Sequence, residues 1–245
     1  MLDWLRRDHQ HPSVEIAGRN LPIAIRRHPR ARRLTMRLAP DGSELRISMP
    51  QWGRTLDALS FASARSAWIE TQLAKVPQPV ALGDGTVLPF CGESLTLRWS
   101  ATGTRKVRRE GKLLHTGGPQ ELLAARLRRW LEAEALALLQ SDLADYCARA
   151  SLPQPDLRLS RAQRRWGSCS SERRQNGACI RINWRLVMAP PHVRRSVVAH
   201  EVAHLTHFDH SPAFYAELAR LYEGDLAAAD GWLKAEGRGL YALFG

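Results

Sequence analysis

Alternating apolar and polar residues predict strands over most of the first hundred positions. Residues 34–38 and 45–49 both alternate, and a Pro-Asp-Gly turn at 40–42 lies between them, which predicts a β-hairpin. Apolar residues then recur at helical spacing over 55–75, which predicts a single helix. Further strands are predicted at 86–90, 94–99 and 106–114. The N-terminal part of the chain is therefore expected to be β-rich with one helix.

Helical periodicity dominates the rest of the chain. A Thr-Gly-Gly-Pro loop at 116–119 precedes a helical pattern that extends from about 120 to 150. Ser211 and Pro212 form a helix start signal, since a hydroxyl N-cap precedes proline at the first helical position. Two short strands are predicted at 157–160 and 179–184, and three helices at 192–207, 212–222 and 226–236. The pattern predicts an α+β protein, with a β-rich region over 1–116 and a second domain over 117–245.

The composition is typical of a folded protein in water, with 44% apolar and 24% charged residues. A membrane-spanning helix needs about 20 apolar residues, whereas no stretch here exceeds eight residues without a charge. Residues 1–8 are charged and lack the apolar core of a signal peptide. The four cysteines form no C-x-x-C pair, and because no export signal is seen, reduced thiols are expected. These features argue against membrane and secreted proteins and predict a cytoplasmic location.

Basic residues outnumber acidic residues by 36 to 24, for a net charge of +12. This excess permits a polyanionic partner such as a nucleic acid or a nucleotide. Only four of the basic residues are lysines, and such an excess of arginine also arises from compositional bias. The basic segments at 26–37 and 105–109 are candidates for a phosphate-binding surface. Because they lack interleaved aromatic residues, a solvated strand face is the favoured interpretation.

The strongest chemical signal is the segment His-Glu-Val-Ala-His at 200–204. Residues four apart lie on one face of a helix, so His200 and His204 can offer two imidazole nitrogens to one ion. Glu201 lies beside them, close enough to hold a water molecule at the metal. Composition gives only about 0.02 such H-E-x-x-H matches per chain by chance. We therefore predict a metal site rather than a pair of structural histidines.

A catalytic zinc site usually has three protein ligands and one open position, so a third ligand is needed. His207 would lie about 10 Å beyond His200 along a continuous helix, too far to converge on the same ion. His210 follows a predicted turn at 208–209 that can bring its ring back to the site. Its spacing from His200 matches the H-E-x-x-H-x-x-G-x-x-H pattern, although His207 replaces the glycine. We expect His210 to be the third ligand, with Glu217 on the next helix as the alternative.

Further motifs occur in order along the chain: RWGSCS at 165–170, INWRL at 182–186, APP at 189–191, HEVAH at 200–204 and HSPAFY at 210–215. Together they resemble the YgjP-like metallopeptidase family, relatives of the SprT-like zinc proteases. The resemblance covers most of the chain, including the N-terminal hairpin and the helix that follows it. It implies a zincin-like C-terminal domain, one zinc ion on His200, His204 and His210, and Glu201 as the catalytic residue.

The predicted function is zinc-dependent hydrolysis of a peptide or protein substrate, with Glu201 as general base. Arg165 is a candidate for binding a substrate carboxylate or phosphate, and Asn183 for donating to an oxyanion. Cys169 and Cys179 are expected to be small buried side chains rather than zinc ligands. Three alternatives stay open: a nucleoside triphosphate pyrophosphatase, a SprT-like protease recruited to nucleic acid, and a non-catalytic zinc-binding module. No membrane partner is expected.

Overall fold

The computed structural model describes residues 12–39, 41–76, 80–170 and 177–244. The chain divides into two compact units, residues 1–78 and 79–245. Pro40, which the sequence places in the hairpin turn, lies outside the described residues. No helix in the described ranges is both long and apolar enough to span a bilayer.

The described residues of the N-terminal unit, 12–39 and 41–76, form a four-stranded sheet in the order β1-β2-β4-β3 and two helices. Its elements are β1 (Ser13–Ile16), β2 (Arg19–His28), β3 (Thr35–Leu38), β4 (Leu45–Pro50), α1 (Thr55–Ser63) and α2 (Ser66–Ala74). The predicted hairpin is confirmed, because β3 and β4 pair antiparallel with Leu38 opposite Leu45. The single helix predicted over 55–75 is wrong, since the chain leaves helical geometry at Arg65. The two helices pack against the sheet through the buried side chains of Ala58, Ala62 and Ile69.

The second unit begins with another four-stranded sheet, in the order β5-β6-β8-β7. Its strands are β5 (Val87–Phe90), β6 (Glu93–Ser100), β7 (Arg108–Glu110) and β8 (Leu113–Gly117). The single strand predicted over 106–114 is two strands, since Gly111 turns the chain with a φ of 60°.

This second sheet shares one apolar core with the C-terminal helices. Leu88, Leu97 and Leu114 belong to the same buried cluster as Leu127 and Leu131 of the long helix that follows. The division between the units therefore falls between residues 78 and 79, whereas a boundary at 116–117 was expected. Burying the apolar face of the sheet requires the helix, and this keeps both in one unit.

The remaining elements build the layer that carries the histidine motif. They are α3 (Leu123–Ala150), β9 (Asp156–Ser160), β10 (Gly167–Ser170), β11 (Cys179–Asn183), α4 (Pro191–Ala203), α5 (Pro212–Leu221) and α6 (Leu226–Glu236), with a 3-10 helix at Trp184–Met188. The three strands form a sheet in the order β10-β11-β9. Helix α4 packs against this sheet and against α3, α5 and α6. The α+β class is confirmed, and the H-E-x-x-H helix lies at the centre of the second unit.

Candidate metal centre

Helix α4, which carries the first two histidines, is buried on most of its sides. Val193, Val198 and Val202 are fully buried although they point in different directions around the helix, and Pro191 occupies the first turn, where its missing N–H costs nothing. The helix ends at Ala203, and His204 is its C-cap residue in helical geometry. The helix predicted to reach residue 207 is therefore one turn too long.

Three imidazoles meet at the C-terminal end of this helix. One ring nitrogen from each of His200, His204 and His210 lies within 4.8 Å of the other two. The Nε2 atoms of His200 and His210 are 3.3 Å apart. The turn after α4 thus brings His210 back over the helix, as its sequence spacing predicts.

The turn at 204–210 is made without a left-handed residue. None of these seven residues has a positive φ, so His207 does not need the conformation that glycine supplies in the related pattern. His207 acts through its backbone instead, since its carbonyl oxygen lies 2.9 Å from Nδ1 of His204. If Nδ1 of His204 donates to that carbonyl, its Nε2 keeps a lone pair for a metal ion.

The ring of Phe214 packs against all three imidazoles. Its ring is fully buried, and its centroid lies 4.9 Å from that of His200, 4.5 Å from that of His204 and 4.8 Å from that of His210. The residue sits in the first turn of α5, where the Ser211 side chain accepts a hydrogen bond from its backbone N–H. The N-cap of α5 therefore helps to hold the Phe214 ring in place, and the three histidines pack against this ring.

The donor set fits a divalent transition metal. Burial, together with the neighbouring His204 and His210, lowers the pKa of His200 to about 4, so its imidazole is neutral near pH 7. Neutral imidazole nitrogens are preferred zinc ligands, and three of them leave one coordination position open. No carboxylate from the described residues joins the cluster.

Glu201 lies next to the triad and is 5% exposed. Burial raises the pKa of its carboxyl to about 7, while the positive charge of Arg165 opposes that rise. Its Oε2 atom is buried and has no hydrogen-bond partner among the described residues. A buried carboxylate oxygen without a partner is costly in a fold, and this marks Glu201 as a residue kept for function.

Gly167 makes room for Glu201. A Cβ added to Gly167 would lie 2.7 Å from Cγ and 2.8 Å from Cδ of Glu201, closer than real side chains approach. Gly167 belongs to β10, which pairs antiparallel with β11, and its φ is not positive. The glycine is thus required by close packing on Glu201, not by a turn.

The two substrate-binding residues predicted from the sequence, Asn183 and Arg165, have different surroundings in the structure. Asn183 is fully buried, and its Nδ2 donates to the Ala162 carbonyl at 2.8 Å and to the Tyr241 hydroxyl at 3.3 Å. Its Oδ1 accepts from the backbone N–H of Arg185, so every polar group of this side chain is engaged within the fold. The oxyanion role expected for Asn183 is corrected, because no N–H is left for a substrate. Arg165 is exposed, and its positive charge lowers the pKa of the Glu201 carboxyl against the effect of burial.

The alternative third ligands lie outside the cluster. Glu217 is bound by Arg220, with 2.7 Å between Oε1 and Nη2, and this pairing lowers the pKa of the Glu217 carboxyl. Cys169 is not part of the cluster either, and burial together with the charge of Glu201 raises its thiol pKa to about 11. The four cysteines are all free.

Two elements of the site escaped sequence reasoning. The apolar spacing of Phe214, Leu218 and Leu221 marks the buried face of α5 but does not show that Phe214 faces histidines. Gly167 stands two residues after Arg165 in the motif that resembles the family, yet its contact with Glu201 joins residues 34 positions apart. Both contacts depend on tertiary packing.

Comparison with known proteins gave one match. A family model described as YgjP-like, metallopeptidase domain, matches residues 32–236. No curated protein and no solved structure matches the chain.

Proposed function

Since the chain belongs to the YgjP-like metallopeptidase family, we propose that it cleaves peptide bonds with one zinc ion held by His200, His204 and His210. The observation that carries this proposal is the convergence of three imidazole nitrogens beside the buried, unpaired carboxylate of Glu201. Three nitrogen ligands with an open position are the donor set of catalytic zinc, whereas structural sites are closed by four ligands. A zincin-like arrangement of the second unit is part of the same proposal.

His200, His204 and His210 would hold the zinc ion, which would supply a Lewis acid and let water serve as a nucleophile at neutral pH. Glu201 takes the proton from the attacking water and delivers it to the nitrogen of the departing amine. A pKa near 7 suits this exchange, because the carboxylate both accepts and releases a proton close to neutral pH. Gly167 leaves the carboxylate space to lie against β10, and Phe214 holds the imidazoles in place.

Arg165 is the residue proposed to bind the substrate. It makes no hydrogen bond or ion pair with the rest of the described chain, and its guanidinium lies close enough to affect the charge of Glu201. A free guanidinium binds a carboxylate or another anionic oxygen through two parallel hydrogen bonds. We assign it to an anionic or carbonyl oxygen of the substrate. The four free cysteines favour action in a reducing compartment such as a cytoplasm.

A second candidate, a protease recruited to nucleic acid, has one observation in its favour. The segment 19–37 of the N-terminal unit contains seven arginines and no acidic residue. Trp52 in the same unit is 80% exposed, and Arg27 donates to the carbonyl of its neighbour Gly53. Arginines beside an exposed indole are a typical surface for single-stranded nucleic acid.

Glu201→Gln tests the proposed chemistry, with Glu217→Gln as the matched control. Wild type and both variants, loaded with zinc, are incubated with an unfolded protein, with nucleoside triphosphates, and with protein plus DNA. Products are then identified by mass. We expect peptide cleavage by wild type and by Glu217→Gln, and a loss of about 10²- to 10⁴-fold in Glu201→Gln with zinc retained.

The remaining outcomes separate the alternatives. Release of phosphate or pyrophosphate that depends on Glu201, without peptide cleavage, would replace the peptidase with a nucleotide hydrolase. Cleavage seen only with DNA and suppressed steeply by salt would favour the recruited protease. Absence of any product with zinc firmly bound would leave a non-catalytic zinc-binding module.

A further inference from the structure

A cavity of about 580 Å³ in the second unit adjoins the proposed catalytic residues. His200 and Glu201 form part of its wall, together with residues of α5 and α6, Gly167 at the start of β10 and Trp166 just before it. Its volume falls within the range of about 300–1,000 Å³ that is typical of ligand pockets. A substrate whose cleaved bond lies at Glu201 therefore has this cavity next to it.

The wall of the cavity is mainly apolar. Its larger side chains are Trp166, Val197, Tyr215, Leu218, Leu226 and Leu233. Tyr215, which is 55% exposed, lies on the α5 side of this wall. Burying an apolar group against such a surface is favourable, whereas a polar group placed there would lose its hydrogen bonds to water without replacing them.

Ser196 and Asp230, two polar residues of the wall, already have partners within the fold. Ser196 donates its hydroxyl to the carbonyl of Val193 at 2.9 Å. Asp230 forms an ion pair with Lys234 at 2.5 Å, so its charge is balanced within α6. Among the wall residues that the structure describes, Glu201 alone keeps a polar atom buried without a partner. A charged substrate side chain would thus lose its hydration here, and Glu201, the wall residue with an unpartnered oxygen, is already assigned to the cleaved bond.

We propose that this cavity is a specificity pocket that receives a large apolar side chain, such as leucine or phenylalanine, from the substrate residue at the cleaved bond. This inference rests on the proposed peptidase function and adds the class of substrate residue. Leucine is preferred over alanine because only the larger side chain covers the apolar wall, and lysine or aspartate is disfavoured because each brings an unpaired charge.

Two neighbouring alanines on α6 provide a matched pair of variants. Ala227 lines the cavity, whereas Ala228 does not, and both are exposed. Asp225 caps the helix by accepting from the backbone N–H of each, so the cap does not depend on either side chain. Ala227→Phe places a ring at the cavity, and Ala228→Phe adds the same ring outside it. Ala227→Leu is a smaller change in case the phenylalanine variant folds poorly.

The experiment uses zinc-loaded full-length protein and five peptides that differ only at one central residue: Ala, Leu, Phe, Lys or Asp. For wild type we expect kcat/KM to be about 10-fold or more higher for Leu and Phe than for Ala, with Lys and Asp at or below Ala. Ala227→Phe should reduce this preference by about 10-fold. Ala228→Phe should behave like wild type. Equal rates for all five peptides, or a preference for Lys, would overturn the pocket.

Calorimetric binding of the same peptides to zinc-loaded Glu201→Gln distinguishes failure of the pocket from failure of the peptidase function. Tighter binding of the Leu peptide than the Ala peptide, reduced about 10-fold by adding Ala227→Phe, supports the pocket even if wild type cleaves nothing. Cleavage by wild type without any apolar preference in rate or binding would refute the pocket and leave the peptidase function standing. Equal binding of all five peptides would refute the pocket whatever the activity.

Discussion

Helix α4 carries two clusters of polar side chains that differ in how their hydrogen bonds are satisfied. Arg194 and Arg195, near the start of the helix, are bound to acidic residues from α3 and from the segment after α5. Near its end, no carboxylate joins the imidazole cluster of His200, and Oε2 of Glu201 has no hydrogen-bond partner within the described chain. The same helix thus has one cluster that is complete without a ligand and one that is not.

The arginine cluster is a closed network. Asp142 accepts from Arg194 at 2.7 Å and from Arg195 at 3.2 Å, and Asp142 and Arg194 are both buried. Arg195 also reaches Asp145 at 2.5 Å and Glu223 at 2.6 Å, and these bonds raise the pKa of its guanidinium. Such a network joins α3, α4 and the chain after α5. The ion pairs of this network therefore stabilise the fold.

The histidine cluster lacks this closure. Each imidazole has a nitrogen directed toward the other two, and Oε2 of Glu201 is buried without a partner. An arrangement of that kind costs folding free energy unless a ligand completes it. The number of charged residues in a region therefore does not indicate function, whereas hydrogen-bonding groups left without partners do.

The largest effect on stability is expected from breaking the closed network with Asp142→Asn. This change leaves the guanidinium of Arg194 buried without a counter-ion, so the free energy of unfolding should fall by about 3–5 kcal/mol. Asp230→Asn, which breaks the exposed pair with Lys234, should cost less than about 1 kcal/mol. Urea unfolding of both variants checks the difference. Equal losses would mean that the buried network does not stabilise the fold.

Gly167→Ala should damage the open cluster and leave the fold largely intact. The new methyl group would displace the carboxylate of Glu201, and a displacement of about 1 Å is expected to lower kcat by about 10²-fold. Gly231→Ala is the control, because an added Cβ there meets nothing within 4 Å. Turnover on the same peptide, with circular dichroism for folding, measures the effect. Full activity of Gly167→Ala would show that catalysis does not depend on the contact between Gly167 and Glu201.

The smallest effect is expected at the rim of the closed network. Burial raises the pKa of Glu223, but hydrogen bonds from Arg195 and Tyr146 outweigh it and lower the pKa to about 2. Because the pKa in the fold lies below its ordinary value of 4.5, the stabilisation is complete above about pH 4.5 and is lost as the pH falls toward 2. Glu223→Gln should therefore be less stable than wild type at pH 7 by under about 1 kcal/mol, since the pair is partly exposed.

Thermal unfolding of wild type and Glu223→Gln between pH 7 and pH 2 tests this expectation. The difference between their midpoints should narrow as the pH falls below 4.5. A difference that stays constant down to pH 2 would show that the charge of Glu223 contributes nothing.

The sequence could predict features that depend on local periodicity and spacing. The hairpin at β3 and β4, the long helix α3 and the return of His210 to the first two histidines all belong to this class. Apolar spacing fixes which face of the hairpin and of α3 is buried. The return of His210 follows instead from its spacing of ten residues from His200, which matches the H-E-x-x-H-x-x-G-x-x-H pattern.

Features set by contacts between distant residues escaped prediction. Helix α4 ends at Ala203 although no glycine or proline stops it, and the bond from His204 to the carbonyl of His207 stabilises the turn that follows. The sheet at 87–117 joins the second unit because its core partner is α3, which no local pattern shows. Asn183 has an ordinary oxyanion-donor side chain, yet Ala162 and Tyr241 use both of its N–H groups.

The metal content of the purified protein shows whether the open cluster of helix α4 is a zinc site. Elemental analysis is made on wild type, His210→Ala, His207→Ala and Asp142→Asn, each purified without added metal. We expect about one zinc per chain in wild type, His207→Ala and folded Asp142→Asn, because the His207 carbonyl is retained and Asp142 lies in the closed network. We expect His210→Ala to lose most of its zinc. Retention of zinc by His210→Ala together with its loss from His207→Ala would show that His210 is not the third ligand.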